Sequence, residues 1–422
     1  MSESSGHVVV APDKFKGSLS AAEAAGHIVA GLGAGVRTIV VPVADGGDGT
    51  VDAVVAAGFD RVEVEVTGPT GERITAAYAR HPAQPIAVVE LAEASGLRRL
   101  PGAPAPLTAT TRGTGELIAH AVRHGARRVV LGLGGSATTD GGAGLLSALG
   151  ARLLDADGRE LPPGGAALRA LDRIDLTGFM SFTADGHGHG HGHGHGHGHD
   201  GAPDEGVEFV VVVDVDNPLL GPEGAAAVYA PQKGATPEDV AVLSAGLARL
   251  AAVCAHTHGL VGAVEHDGRV RPMGVAGQPG AGAAGGVGFA ALAFLEAEIR
   301  PGIDYLLELV GFDTHLKGAR LVITGEGALD RQTLRGKAPA GVAQAAAKAG
   351  VPVVAVCGRR DLADDELRAA GFDAAYALVD LPLDTPSDAS PAVPSRYLTE
   401  AGPLLRRLAA LLWAEQSPRP TP

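Results

Sequence analysis

Five short Val/Ile-rich runs in this chain end in an acid or a cluster of glycines: HVVVAPDKFKG at 7–17, IVVPVADGGDGT at 39–50, VVLGLGGSATTDGG at 129–142, FVVVVDVDNP at 209–218 and LVITGEGALD at 321–330. Carboxylates with spare oxygens suit Mg2+, and lysines suit phosphate or carboxylate groups. Asp13, Lys14 and Lys16 follow the first run, and Asp45 and Asp48 follow the second. Asp214 leaves a run of valines, where a carboxylate can take a proton from a substrate hydroxyl, and Asn217 lies close behind it. Gln232-Lys233-Gly234 adds a cation beside a glycine turn. Glu326 and Asp330, then Arg335-Gly336-Lys337, repeat the order of acid followed by cation.

The third run carries the strongest phosphate signal. Gly134 and Gly135 let backbone amides approach an anion, and Ser136, Thr138 and Thr139 add hydroxyl donors. An apolar helix is expected over Leu145–Leu149, its N-terminus adding a positive dipole. Gly132-Leu133-Gly134-Gly135-Ser136-Ala137 also fits the GxGxxA dinucleotide fingerprint, with Asp155 or Asp157 about twenty residues on. That match motivates a rival reading, an NAD-dependent dehydrogenase. It is weakened by Thr139, Asp140 and two further glycines, which stand where a Rossmann helix should already run. A poorer match at Gly280–Gly285 contains Gly282 and Gly285. No GxxxxGK[ST] is present, so a nucleotide site here is not a Walker P-loop.

These residues need elements that hold them. Buried Val/Ile runs alternating with helical patterns indicate parallel strands, and ligands bind beyond the carboxyl ends of such strands. The expected fold is α/β with two α/β domains. One is a Rossmann/flavodoxin-like parallel sheet built from residues 1–62 and 289–415, and the other is a mixed α/β domain inserted over 63–288. The active site is expected in the cleft between them, and 416–422 reads as a disordered tail. Ser20 and Glu23 form a capping box ahead of an apolar stripe, and Thr236-Pro237-Glu238-Asp239 opens another helix.

With 45% hydrophobic and 19% charged residues, the 422-residue chain reads as globular, and its length favours two domains. A net charge of −14 argues against a general nucleic-acid surface, while a local basic pocket for an anion remains open. Cys254 and Cys357 lie far apart, so neither a disulfide framework nor a thiolate zinc site is indicated. The opening MSESSGHVVV has no basic, apolar leader pattern, and no run reads as a membrane span. A cytoplasmic enzyme is the expectation, and a homo-oligomer is left open. Residues 186–199 alternate Gly and His; such a tract can take a divalent metal, and a His-rich metal-storage protein is a second rival reading. A low-complexity surface loop explains the tract more simply.

Eight stretches together resemble the type I bacterial glycerate kinase family: APDKFKGSLSA (11–21), PVADGGDGTVDA (42–53), TRGTGELI (111–118), GLGGSATTDGGAG (132–144), DVDNPLLGPEGA (214–225), APQKGATPE (230–238), PGAGAAGG (279–286) and ITGEGALDRQT (323–333). The resemblance runs from about residue 7 to 412, and the Gly/His tract departs from it. It implies ATP- and Mg2+-dependent phosphorylation of glycerate, usually to 2-phosphoglycerate, with 3-phosphoglycerate as the alternative product. On that reading Asp214 is the general base, assisted by Lys16. Asp13, Lys14, Arg112, Ser136 and Asn217 contact glycerate. ATP phosphates lie on Gly134, Gly135, Ser136, Thr138, Thr139, Gly282 and Gly285, with Lys233 and Lys337, and Asp45, Asp48 and Glu326 are the metal candidates.

Overall fold

The computed structural model describes residues 6–182, 206–258, 263–266, 269–272, 274–382 and 397–416. The Gly/His tract at 186–199 and residues 417–422 lie outside that set. The chain divides into two compact units. The first comprises Met1–Asp45, Asp52–Gly58 and Pro301–Pro422, and the second Gly46–Val51 and Phe59–Arg300. The sequence reading drew these limits at 62/63 and 288/289.

The first unit is built on a five-stranded sheet, ordered Ala374–Ala377, Val353–Arg360, Ala319–Leu329, His7–Pro12, Thr38–Val40 and parallel throughout. Numbered along the unit, that is the flavodoxin-like order 2-1-3-4-5, whose direction reverses between His7–Pro12 and Ala319–Leu329. The period-2 alternation of a strand explains why the first run is apolar on both faces. Val8 and Val10 enter one core with helices Ala21–Leu32 and Ala401–Gln416, while Val9 and Ala11 enter another with Gly302–Leu309 and Ala338–Lys348. Ser20 and Glu23 make the expected reciprocal capping box. The last helix runs to Gln416, the first residue of the expected tail.

The second unit is built on a six-stranded mixed sheet, ordered Glu298–Arg300, Glu208–Val212, Arg128–Gly132, Ile86–Glu90, Arg73–Arg80, Asp60–Thr67. The first four strands are parallel, and the last two form an antiparallel hairpin through the Gly68–Gly71 turn. Helix Pro237–His258 is the element that bears on the membrane expectation. By length and hydropathy its segment Pro237–His256 could span a membrane, with mean hydropathy 1.4. Yet Leu243, Leu247, Leu250 and Cys254 recur at helical spacing and are fully buried in the core of this unit, so the helix is a core element.

Helix Ala21–Leu32 supplies a paired test of this packing. Gly26 is exposed with open space around a would-be Cβ, whereas a Cβ on Gly31 would lie 2.2 Å from the Arg406 carbonyl oxygen and 2.7 Å from the Ala409 Cβ. Gly26→Ala is therefore expected to stabilise the protein by about 0.5–1 kcal/mol through helix propensity. Gly31→Ala is expected to destabilise it by about 1–3 kcal/mol through overpacking. Thermal unfolding of the two variants should move the midpoint in opposite directions.

Candidate active site

In the first unit the acids gather where strand order reverses. Asp13 directly follows strand His7–Pro12, and its amide extends the ladder by donating to the Gly325 carbonyl at 2.8 Å. The side chain is buried, and Oδ1 accepts from the Lys14 amide at 2.6 Å. Burial pushes the Asp13 carboxyl up to about 7; the Lys14 cation works against that shift, and negative Asp45 and Glu326 add to it. Glu326 lies within strand Ala319–Leu329 and is also raised, first by burial, with Asp330 and Asp45 contributing. Thr333 Oγ1 donates to Glu326 Oε1 at 2.5 Å, and Lys337 Nζ stands 3.6 Å from Oε2 and 3.9 Å from Asp330. Lys14 is half-buried and Lys16 is exposed.

Two carboxylates that resist ionisation, Asp13 and Glu326, favour a cation beside them. Among the described residues, however, no group of three or more His, Cys, Asp or Glu is arranged to hold a metal. Mg2+ commonly takes one or two carboxylates and completes its octahedron with water and phosphate oxygens. The residues present fit that arrangement and not an all-protein cage.

In the second unit the 133–142 loop links strand Arg128–Gly132 to helix Ala143–Ala148. Its organiser is Asp140, wholly buried, which accepts from the Thr111 amide and hydroxyl (both 2.9 Å), the Gly142 amide (3.0 Å) and the Gly144 amide (3.2 Å). Leu145 N–H donates to Thr111 Oγ1 at 2.9 Å. The helix is only six residues long, and its first amides bind the protein's own Asp140 and Thr111. This corrects the expected dipole site, because a carboxylate of the chain stands where an external anion would.

What the loop offers an anion is instead a set of buried donors. Lys233 is enclosed, and its Nζ donates to Ser136 Oγ at 2.7 Å and to the Thr138 carbonyl. Burial pulls the Lys233 amine down to about 7, against the pull of Asp140. The Thr138 and Thr139 hydroxyls are buried without a hydrogen-bond partner. An orphaned buried hydroxyl costs roughly 1–3 kcal/mol, so both suit an acceptor-rich group such as phosphate.

The glycines do a different job. A Cβ on Gly132 or Gly134 would meet the Gly46 oxygen at 2.6 Å or the Gly47 Cα at 2.3 Å. Gly285, at φ +70°, would bring its Cβ to 2.2 Å from the Thr138 oxygen, and a Cβ on Gly282 would lie 2.3 Å from the Pro218 oxygen. These positions let loops pack on one another. A dinucleotide fingerprint would start its helix inside the glycine turn, whereas the helix here waits until Ala143, so the dehydrogenase reading loses its motif.

The model of the glycerate kinase family matches residues 8–187 and 198–408. The chain belongs to that family. It is 42% identical over 379 residues to a glycerate kinase of Bacillus subtilis (strain 168), covering 88% of this chain and 90% of that one. It is 39% identical over 380 residues to a glycerate 2-kinase of Escherichia coli (strain K12), with 88% and 90% covered. A solved structure from Salmonella typhimurium LT2, named provisionally as glycerate kinase 2, superposes with a TM-score of 0.76 at 38% identity and 98% coverage of both chains. The protein is thus an enzyme, a kinase of the glycerate kinase family.

Against that family frame, Asp214 is exposed just past strand Glu208–Val212. Asn217 is held by the Tyr229 hydroxyl and donates to the Glu223 oxygen at 2.8 Å. Arg112 is exposed at the start of helix Arg112–Arg123 and pairs with Glu116 at 3.2 Å. Asp48 pairs with Arg98 at 2.9 Å. Sequence reasoning missed Glu90, Arg98 and Thr111. Glu90 could have been suspected, because it ends a Val-rich strand as the other acids do. An apolar pocket lined by Pro42, Val54, Ile303 and Leu307 contains none of the candidate residues.

Lys233 yields a pH test. A base whose pKa falls from 10.5 unfolded to about 7 folded binds fewer protons folded than unfolded between those values, so stability rises with pH across that window and is flat below it. Lys233→Met removes this contribution. The difference in unfolding midpoint, wild type minus variant, should grow from pH 7 to pH 9 and stay nearly level below about pH 6. A constant difference would contradict the burial of the amine.

Proposed function

We propose that this enzyme transfers the γ-phosphoryl group of Mg·ATP to the 2-hydroxyl of D-glycerate, acting in the cytoplasm. The observation that carries the reading is the buried donor set of Ser136, Thr138, Thr139 and Lys233, whose unused hydroxyls suit a phosphate group. The identity to a protein named glycerate 2-kinase supports the choice of hydroxyl.

Phosphoryl transfer asks a protein mainly for positioning and charge neutralisation. In this reading Gly134, Gly135, Ser136, Thr138 and Thr139 bind phosphate with Lys233, and Lys337 and Lys16 add positive charge. Lys14, Lys16 and Arg112 hold the glycerate carboxylate, with Asp13 and Asn217 orienting its hydroxyls. Asp45 and Glu326 would hold Mg2+, which when bound neutralises phosphate charge. Asp48 is the weaker ligand candidate, since Arg98 engages it. Asp214 takes the proton from the attacking hydroxyl.

The test couples ADP release to enolase with no phosphoglycerate mutase. Immediate phosphoenolpyruvate is the expected result. Product that needs the mutase would move the phosphate to the 3-hydroxyl, and no ADP release from folded protein would refute glycerate as the substrate. Asp214→Asn is expected to lower kcat by about 10²–10⁴-fold with little change in KM. Near-normal kcat in Asp214→Asn beside a large loss in Asp13→Asn would hand the proton to Asp13.

A further inference from the structure

Outside the donor set of the second unit lies an ionic cluster around the buried carboxylates of Glu90 and Glu93, neither of which has a role above. Glu90 ends strand Ile86–Glu90 fully enclosed, and its two oxygens accept from the Gly49 amide at 3.1 Å and the Val51 amide at 3.0 Å. Arg98 places Nη2 3.1 Å from Glu90 Oε1 and Nε 2.9 Å from Asp48 Oδ1, and it also binds Glu93. Arg99 and Arg61 hold the far side of Glu93 at 2.9 and 3.5 Å. One carboxylate and one guanidinium thus grip the 46–51 segment at its amides and at its acid.

Within the segment, Thr50 Oγ1 donates to the Gly47 oxygen at 2.6 Å, where helix Thr50–Ala56 begins. Gly46 and Gly49 take φ values of +88° and +93°, so its path is one that side-chain-bearing residues rarely follow. The same grip reaches the phosphate loop. Gly134 N–H donates to the Gly46 oxygen at 3.2 Å, Leu97 N–H to the Gly135 oxygen at 3.0 Å, and Ala137 N–H to the Ser95 oxygen at 2.9 Å. Ser136, between these anchors, is the residue that Lys233 holds.

We propose that Glu90 and Arg98 are positioning residues for phosphoryl transfer. They touch neither substrate and act by fixing the 46–51 segment and, through Gly134 and Gly135, the loop that carries Ser136. The inference rests on the phosphoryl-transfer reading of that loop.

The experiment compares wild type with Arg98→Met, Arg98→Lys, Glu90→Gln and the double variant Arg98→Met/Glu90→Gln. Steady-state kinetics with Mg·ATP and D-glycerate are read beside peptide-resolved hydrogen exchange. A displaced loop predicts a kcat loss of about 10- to 100-fold in each Met or Gln single variant, with glycerate KM within about threefold. Because both residues act through one element, the double variant should lose little more than the worse single. Arg98→Lys should recover part of the rate, since an ammonium keeps the charge but not the fork that joins three acids. Exchange should quicken over 46–51 while 128–132 stays protected.

Unchanged kcat per folded molecule would reduce the cluster to a stability element and overturn the proposal. So would a rise in glycerate KM alone, which marks direct contact, or multiplicative losses in the double variant. Should Arg98→Met fail to fold, Arg98→Lys and Glu90→Gln decide by the same criteria. A wild type that releases no ADP with glycerate brings down the functional reading and this inference together. A working wild type with indifferent variants brings down the inference alone.

Discussion

A carboxylate removed from water must find its hydrogen bonds in the chain around it, and Asp140 shows how much structure that demand fixes. Its two oxygens take up four donors, from Thr111, Gly142 and Gly144. They thereby tie the start of one helix to the start of another and set the end of the 133–142 loop. The Thr111 hydroxyl passes the constraint on by accepting from Leu145. Ionisation is nonetheless disfavoured overall, because burial raises the Asp140 pKa against all of these bonds. The arrangement serves geometry more than stability. It holds Ser136, Thr138 and Thr139 on a loop whose far end is tied by four hydrogen bonds.

The same logic runs through both units with different signs of charge. In the first, acids collect at the end of a parallel sheet where strand order reverses, and Asp13 and Glu326 resist ionisation beside Asp45. Such a cluster is unfavourable alone and becomes favourable when a cation enters it. In the second, a buried lysine and two orphaned hydroxyls are the unfavourable set, and an anion would relieve them. Both are local strains of the kind that binding sites retain, since a group that is fully satisfied in the free protein has little to give a ligand.

Glycine in the 132–134 and 282–285 stretches is chiefly a packing device. A Cβ on Gly132, Gly134, Gly282 or Gly285 would fall within 3 Å of another backbone, so each glycine marks a place where two loops touch through main chain alone. The Glu90–Arg98 cluster belongs to the same scheme, because backbone packed on backbone needs an independent fixed point. That division explains why glycine-rich stretches that look alike in sequence differ in role. The 280–286 stretch supports the loop above it, and the 134–139 stretch presents the hydroxyls.

Much of this was legible in the sequence. Val/Ile runs ending in acids placed the parallel strands, because a strand buried on both faces has no polar alternation to hide it. They put Asp13 at the end of one, although Glu326 stays inside its strand. The capping box at Ser20 and Glu23 and the helix start at Thr236 depend on neighbours three residues apart, and local chemistry was enough to find them. Family membership was legible too, since motifs of that length leave little room for coincidence. Tertiary structure alone decided which donors are spent. A sequence shows Asp140, Gly142 and Gly144 together at a helix start, but only the fold brings Thr111 onto Asp140 and onto the Leu145 amide. It likewise shows Glu90, Arg98 and Asp48 as three separate charges, and only the fold closes them into one clamp. The reason is physical: propensity and period act within a few residues, whereas the satisfaction of a buried charge depends on groups that are distant in the chain and adjacent in space.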